Sequence, residues 1–139
     1  AAYAGSVSLD SEGRGEVPSL KPGVYEVRAE SSGYAPVVLP GVAVPSSRAL
    51  VLVLTPGGSL EIRVGPQTLA LPQPTARLLG ADGRVYMWSA FTPDGKIRLG
   101  GPVRRLENVA PGRYVLEVEG GTRQEVEVRE GMPSTVSLP

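Results

Sequence analysis

Eight residues, Leu20-Lys21-Pro22-Gly23-Val24-Tyr25-Glu26-Val27, return in altered form as Val109-Ala110-Pro111-Gly112-Arg113-Tyr114-Val115-Leu116. A proline followed by glycine presets a tight turn, because proline fixes φ and glycine supplies the positive φ of a type II turn. In each copy the tyrosine heads an alternating segment, Tyr25 to Glu30 and Tyr114 to Glu119. Alternation with a period of two is the mark of a half-buried strand. The phrase therefore predicts the same turn and strand twice.

The repeat runs on. Val42-Ala43-Val44 and Leu50-Val51-Leu52-Val53-Leu54 follow the first copy, and Val126-Glu127-Val128 and Val136-Ser137-Leu138 follow the second. The prolines lie 89 positions apart (Pro22 to Pro111) and the last strands 84 (Leu54 to Leu138). A longer loop at Ser31–Pro36 than at Gly120–Gly121 accounts for the difference. Two related β-modules are expected, residues 1–57 and 58–139, with the boundary at Thr55-Pro56-Gly57-Gly58.

Turn residues fit this reading. The chain holds 18 Gly and 14 Pro, and they fall between alternating segments instead of in a low-complexity block. Asp82-Gly83 and Asp94-Gly95 suit tight turns. Strands are expected at residues 3–9, 24–30, 36–44, 48–55, 59–64, 75–80, 84–91, 96–99, 113–119, 122–129 and 133–138. No window of helical length carries an apolar stripe free of Pro and Gly. Leu50–Leu54 is apolar on both faces, so it is expected to be covered on both sides or to lie between modules. Only 19 residues precede the first phrase, against about 50 of the second module before the next. The first module is thus expected to lack its opening strands, which would lie upstream in a longer parent.

Composition excludes several chemistries. There is no Cys and no His, so Ser-His-Asp and Cys-His catalysis are out, as is the commonest metal ligand. The formal net charge is zero, which gives no general signal for nucleic acid. No apolar run is long enough to span a membrane as a helix. Glu117, Glu119, Glu125 and Glu127 alternate as a solvated sheet face does. Asp10 and Asp94 could offer oxygens to calcium, but turn chemistry explains both. No catalytic residue, cofactor or metal site is assigned.

The run Thr92-Pro93-Asp94-Gly95-Lys96-Ile97-Arg98-Leu99, followed by Leu106 to Tyr114, resembles carboxypeptidase regulatory-like and CnaB-type (prealbumin-like, transthyretin-like) modules. Asp10 to Gly13 with Leu20 to Tyr25 shows the same order. The resemblance implies an all-β fold, tandem prealbumin-like Greek-key β-sandwich modules. It implies a non-catalytic structural or docking part of a larger secreted, periplasmic or surface bacterial protein, with neighbouring domains as partners. A regulatory role toward a peptidase is a further implication. CnaB modules carry a Lys–Asn/Asp cross-link, but neither last strand here has Asn or Asp, so none is expected.

One segment suggests binding. Arg84-Val85-Tyr86-Met87-Trp88-Ser89-Ala90-Phe91 holds the only Trp and the only Phe. As a strand it sets Tyr86 and Trp88 on one face. Either Trp88 plugs the second module's core, or Tyr86 and Trp88 form a platform flanked by Arg84, Arg98, Arg104 or Arg105 that stacks on a sugar ring of a polysaccharide or grips a peptide segment. Tyr25 and Tyr114 are read as structural, each hydroxyl bonded back to the backbone.

Overall fold

The structure is a computed structural model that describes residues 5–45, 48–89, 92 and 94–139. It is all-β, with one short helical turn among the described residues. The strands are β1 (Gly23–Ala29), β2 (Val37–Val44), β3 (Gly58–Val64), β4 (Thr75–Leu79), β5 (Ile97–Arg98), β6 (Val103–Val109), β7 (Gly112–Val118), β8 (Arg123–Val128) and β9 (Pro133–Leu138). The turn is α1 (Pro66–Leu69), opened by a proline where the missing N–H costs nothing. The chain divides into two compact units. One comprises Ala1–Arg28 and Val38–Leu52, the other Ala29–Val37 and Val53–Pro139.

The larger unit is a β-sandwich. One sheet has the order β6-β3-β9 and the other β5-β4-β7-β8. β3 is the hub of the first, antiparallel to β6 and parallel to β9. Its sequence explains its place, since Leu60, Ile62 and Val64 point inward and are buried while Arg63 between them is exposed. Facing them across the core are Ala76 and Leu78 of β4, Tyr114, Leu116 and Val118 of β7, and Val128 of β8. Val136 and Leu138 of β9 complete the layer. Thr68 ties α1 down, because its N–H and its Oγ1 both donate to the Pro139 carbonyl at 2.8 Å.

β6 was not among the expected strands, and its sequence shows why. Apolar residues recur every third position (Val103, Leu106, Val109), not every second. A bulge resolves the mismatch. The register slips between Gly58 and Leu60 of β3, opposite Asn108, which sits at φ 55. That kink turns both Leu106 and Val109 into the core.

The expected strand 84–91 does not form among the described residues, and Ala90 and Phe91 lie outside them. Val85 makes a single bridge to Leu79, and Tyr86 N donates to Leu78 O at 2.7 Å. The chain then leaves β4 and returns as β5 beside Thr75 and Ala76. The edge of β4 is thus covered by two short pieces rather than one strand. The expected strand at 3–9 is absent over the described residues 5–9, and its first two residues lie outside the description.

β1 and β2, which lie in the smaller unit except for Ala29 and Val37, pair as a two-stranded sheet. The segment 48–55 is not a strand either. A strand exists through its ladder, and among the described residues no strand pairs with Leu50–Leu54.

The repeated phrase adopts one local geometry twice. Tyr25 Oη donates to Lys21 O at 2.6 Å and Tyr114 Oη to Ala110 O at 2.5 Å. The left-handed residue is not the glycine of the Pro-Gly pair. It lies three positions before each proline, at Ser19 (φ 63) and Asn108 (φ 55). Gly112 has φ 157, close to extended, so the pair starts a strand instead of turning as type II.

Candidate functional site

The aromatic cluster of the larger unit is built around the backbone of one residue, Ala110. Ala110 N donates to Tyr86 Oη at 3.1 Å, while the Ala110 carbonyl accepts from Tyr114 Oη. The two rings meet edge to face, centroids 5.3 Å apart at 70°. Tyr86 therefore braces the corner that Tyr114 makes, and the first corner has no such brace among the described residues. Burial, with the charge of Tyr86 adding to it, pushes the Tyr114 hydroxyl well above its ordinary pKa.

Trp88 packs half-buried against the core. Its Nε1 donates to Gly95 O at 3.2 Å and closes the loop between β4 and β5. The Arg104 guanidinium lies over the indole, 5.4 Å from its centroid. Arg104 reaches it because it sits opposite Ile62 in the β3–β6 register, on the inward side of β6. Its Nη1 also donates to Arg105 O at 3.0 Å.

The other candidate residues go elsewhere. Arg105 points to the opposite side of β6, where its Nη2 bonds Glu61 Oε1 at 2.8 Å. Arg63 grips the other oxygen of Glu61 at 3.0 Å. The Arg105 hydrogen bond first, then that of Arg63, lowers the Glu61 pKa below its usual value, and Glu61 in turn raises that of Arg105. Arg84 is exposed beside Asp82, with 3.9 Å between Nε and Oδ2. Arg98 is exposed on β5. Of the six residues proposed from the sequence, Tyr86, Trp88 and Arg104 gather around the core edge, while Arg84, Arg98 and Arg105 do not join them.

The three aspartates of the turns act on backbone. Asp10 Oδ1 accepts from Glu12 N and Arg14 N, Asp82 Oδ1 from Arg84 N, and Asp94 Oδ1 from Lys96 N. These are Asx turns, and Gly13, Gly83 and Gly95 supply the positive φ that follows. Among the described residues no three carboxylates gather as a metal site.

A shallow depression of about 370 Å³ lies on the outward face of β4 and β7, lined in part by Thr75, Arg77, Lys96, Glu117, Glu119 and Arg123. Glu117 stands between Arg77 and Arg123 in the ladder and pairs with Arg123 at 2.5 Å. Glu119 accepts from Thr75 Oγ1 at 2.9 Å. Arg77 Nε is buried there without a hydrogen-bond partner. Sequence reasoning saw the glutamates as a solvated face but missed the arginines beside them, because that grouping depends on cross-strand register.

No family model, curated protein or solved structure matches the chain. No helix among the described residues is long and apolar enough to cross a membrane.

Proposed function

We propose that this chain is a non-catalytic docking and spacing element built from two related β-modules, part of a larger extracytoplasmic bacterial protein. The carrying observation is a contrast between its units. Every buried apolar side chain among the described residues belongs to the larger unit, which closes a core around them. The smaller unit presents Val7, Leu9, Val24, Val38, Leu50 and Val51 to solvent. Apolar surface on a unit that has no buried core of its own is what an association surface offers. The paired tyrosine corners, with left-handed Ser19 and Asn108 at matching places, support descent of both units from one module. That pattern also supports the carboxypeptidase regulatory-like or CnaB-type resemblance.

The test is a ligand panel read on two signals. An apolar dye should bind the full chain and lose binding on Val24→Thr with Val51→Thr. Oligosaccharides should leave Trp88 fluorescence unchanged. Saccharide-dependent quenching, abolished by Trp88→Ala in a chain with native circular dichroism, would replace this reading with a carbohydrate-binding one.

A further inference from the structure

One row of charge crosses the outward face of the sheet β5-β4-β7-β8. Glu117 of β7 stands opposite Arg77 of β4 on one side and Arg123 of β8 on the other. The pairs Thr75–Arg98 and Ala76–Ile97 bring Lys96, just before β5, alongside Arg77. The row reads Lys96, Arg77, Glu117, Arg123, and all four line the depression of about 370 Å³.

The row is unbalanced at one end. Glu117 gives its ion pair to Arg123 at 2.5 Å and not to Arg77. Elsewhere in the unit Arg63 and Arg105 share Glu61, and Arg129 has Glu127. Among the described residues no carboxylate lies within ion-pair reach of Lys96 or Arg77. Both side chains are half-buried. Like charges side by side on neighbouring strands repel, and partial burial weakens the screening between them. Arg77 Nε is moreover buried with its proton unpaired, and a buried donor without an acceptor costs free energy. An anion held between the two side chains would relieve both faults.

The rest of the lining selects the anion. Arg77, Lys96 and Arg123 face two carboxylates, Glu117 and Glu119, which leaves one positive charge over. A monoanion neutralises it, whereas a phosphate dianion would overshoot and meet Glu119. A carboxylate also matches the planar fork of a guanidinium. Glu119 is exposed and takes Thr75 Oγ1 on Oε2, which among the described residues leaves Oε1 open to a donor. The volume lies at the lower end of the range for small-molecule sites, so it suits one small molecule.

We propose that this depression binds a free hydroxylated monocarboxylate of the aldonic-acid class. The carboxylate would bridge Lys96 Nζ and the Arg77 guanidinium, with the Arg77 side chain turning to give Nε–H its acceptor. A ligand hydroxyl would donate to Glu119 Oε1. The site lies wholly in the larger unit and draws nothing from the apolar residues of the smaller one.

The test titrates gluconate into the full chain, followed by NMR and calorimetry. The Arg77 Nε–H signal should shift as gluconate saturates. Arg77→Gln and Lys96→Gln should each weaken binding at least about ten-fold, through loss of one charge-assisted contact. Glu119→Ala should weaken gluconate and leave acetate unchanged. Acetate, which lacks hydroxyls, and sorbitol, which lacks the carboxylate, should each bind at least about ten-fold more weakly than gluconate. Arg129→Gln, at a cation already paired with Glu127, should bind as wild type. Native circular dichroism and Trp88 emission in each variant show that lost binding is not lost folding. An Arg77 Nε–H unmoved by gluconate, an affinity indifferent to both Arg77→Gln and Lys96→Gln, or inorganic phosphate binding as tightly as gluconate overturns the proposal.

Discussion

Removing one oxygen from Tyr114 isolates the worth of the second corner. Tyr114→Phe keeps the ring, which is 8% exposed, and its edge-to-face contact with Tyr86. It deletes the 2.5 Å bond to the Ala110 carbonyl and leaves that half-buried acceptor unpaired. A net hydrogen bond is worth about 1 kcal/mol, and a stranded buried acceptor adds part of its desolvation penalty, so the expected loss is roughly 1.5 kcal/mol. With a urea m-value of about 1–3 kcal/mol/M, the midpoint should fall by roughly 0.5–1.5 M. Trp88 is the only tryptophan and lies in the larger unit, so its fluorescence follows that unit's unfolding. Tyr25→Phe removes the equivalent bond from a more open ring and should cost less than half as much by circular dichroism. Tyr86→Phe strands the N–H of the same residue, and the two rings touch, so Tyr86→Phe and Tyr114→Phe should couple by at least about 0.5 kcal/mol in a double-mutant cycle. The reasoning fails if Tyr114→Phe leaves the midpoint within about 0.2 M of wild type, or costs no more than Tyr25→Phe. Alkali gives a second reading. The Tyr114 pKa is raised in the folded state from its ordinary 10.0. Folding therefore retains a proton that the unfolded chain loses, and this contribution is whole below about pH 10 and declines as pH rises beyond it. Tyr114→Phe should flatten that decline.

Three further outcomes are expected. Gly58→Ala places a methyl group against the Arg129 carbonyl and within 2.8 Å of Val128 Cγ1, so it should destabilise the larger unit by about 1–3 kcal/mol, read by urea unfolding. The Glu61 carboxyl should titrate below its ordinary 4.5 by NMR, and Arg105→Gln should move it back up. Because the folded value is the lower one, that pair favours folding above the ordinary carboxylate pKa and ceases to do so as pH falls, and its exposure makes the effect small and salt-sensitive. Leu116→Ala, at a fully buried position of β7, should cost about 2–5 kcal/mol in the same unfolding assay.

Most strands could be read from alternation and turn residues alone. β1, β2, β3, β4, β5, β7, β8 and β9 fall within or beside the expected segments. Both tyrosine hydroxyls bond back to the backbone as expected. The departures share a cause, which is that each depends on a partner distant in sequence. β6 hides its strand character behind a bulge that only its register with Gly58 and Leu60 reveals. Leu50–Leu54 has strand composition but no ladder among the described residues. The segment after Tyr86 leaves the β4 edge to wrap Trp88 against the core, so local alternation yields to burial of one large ring. The left-handed position was assigned to glycine by local preference, while the bulge places it on Asn108. At the candidate site, Tyr86, Trp88 and Arg104 could be suspected from residue type. Their meeting at Ala110 and Gly95, and the grouping of Arg77 with Glu117 and Arg123, require the folded register.

The broken cover along β4 has a consequence for stoichiometry. That edge is occupied by Val85, Tyr86, Ile97 and Arg98, so it offers no continuous row of free amides. The β6 edge is bent by its bulge and carries Arg104 and Arg105. Charge, curvature and interruption are the devices that stop sheets from growing edge to edge. Strand addition along β4 or β6 is therefore disfavoured. Pairing through β4 or β6 should not propagate into a fibre, and β8 and β9, which end their sheets, are the edges left for a second strand.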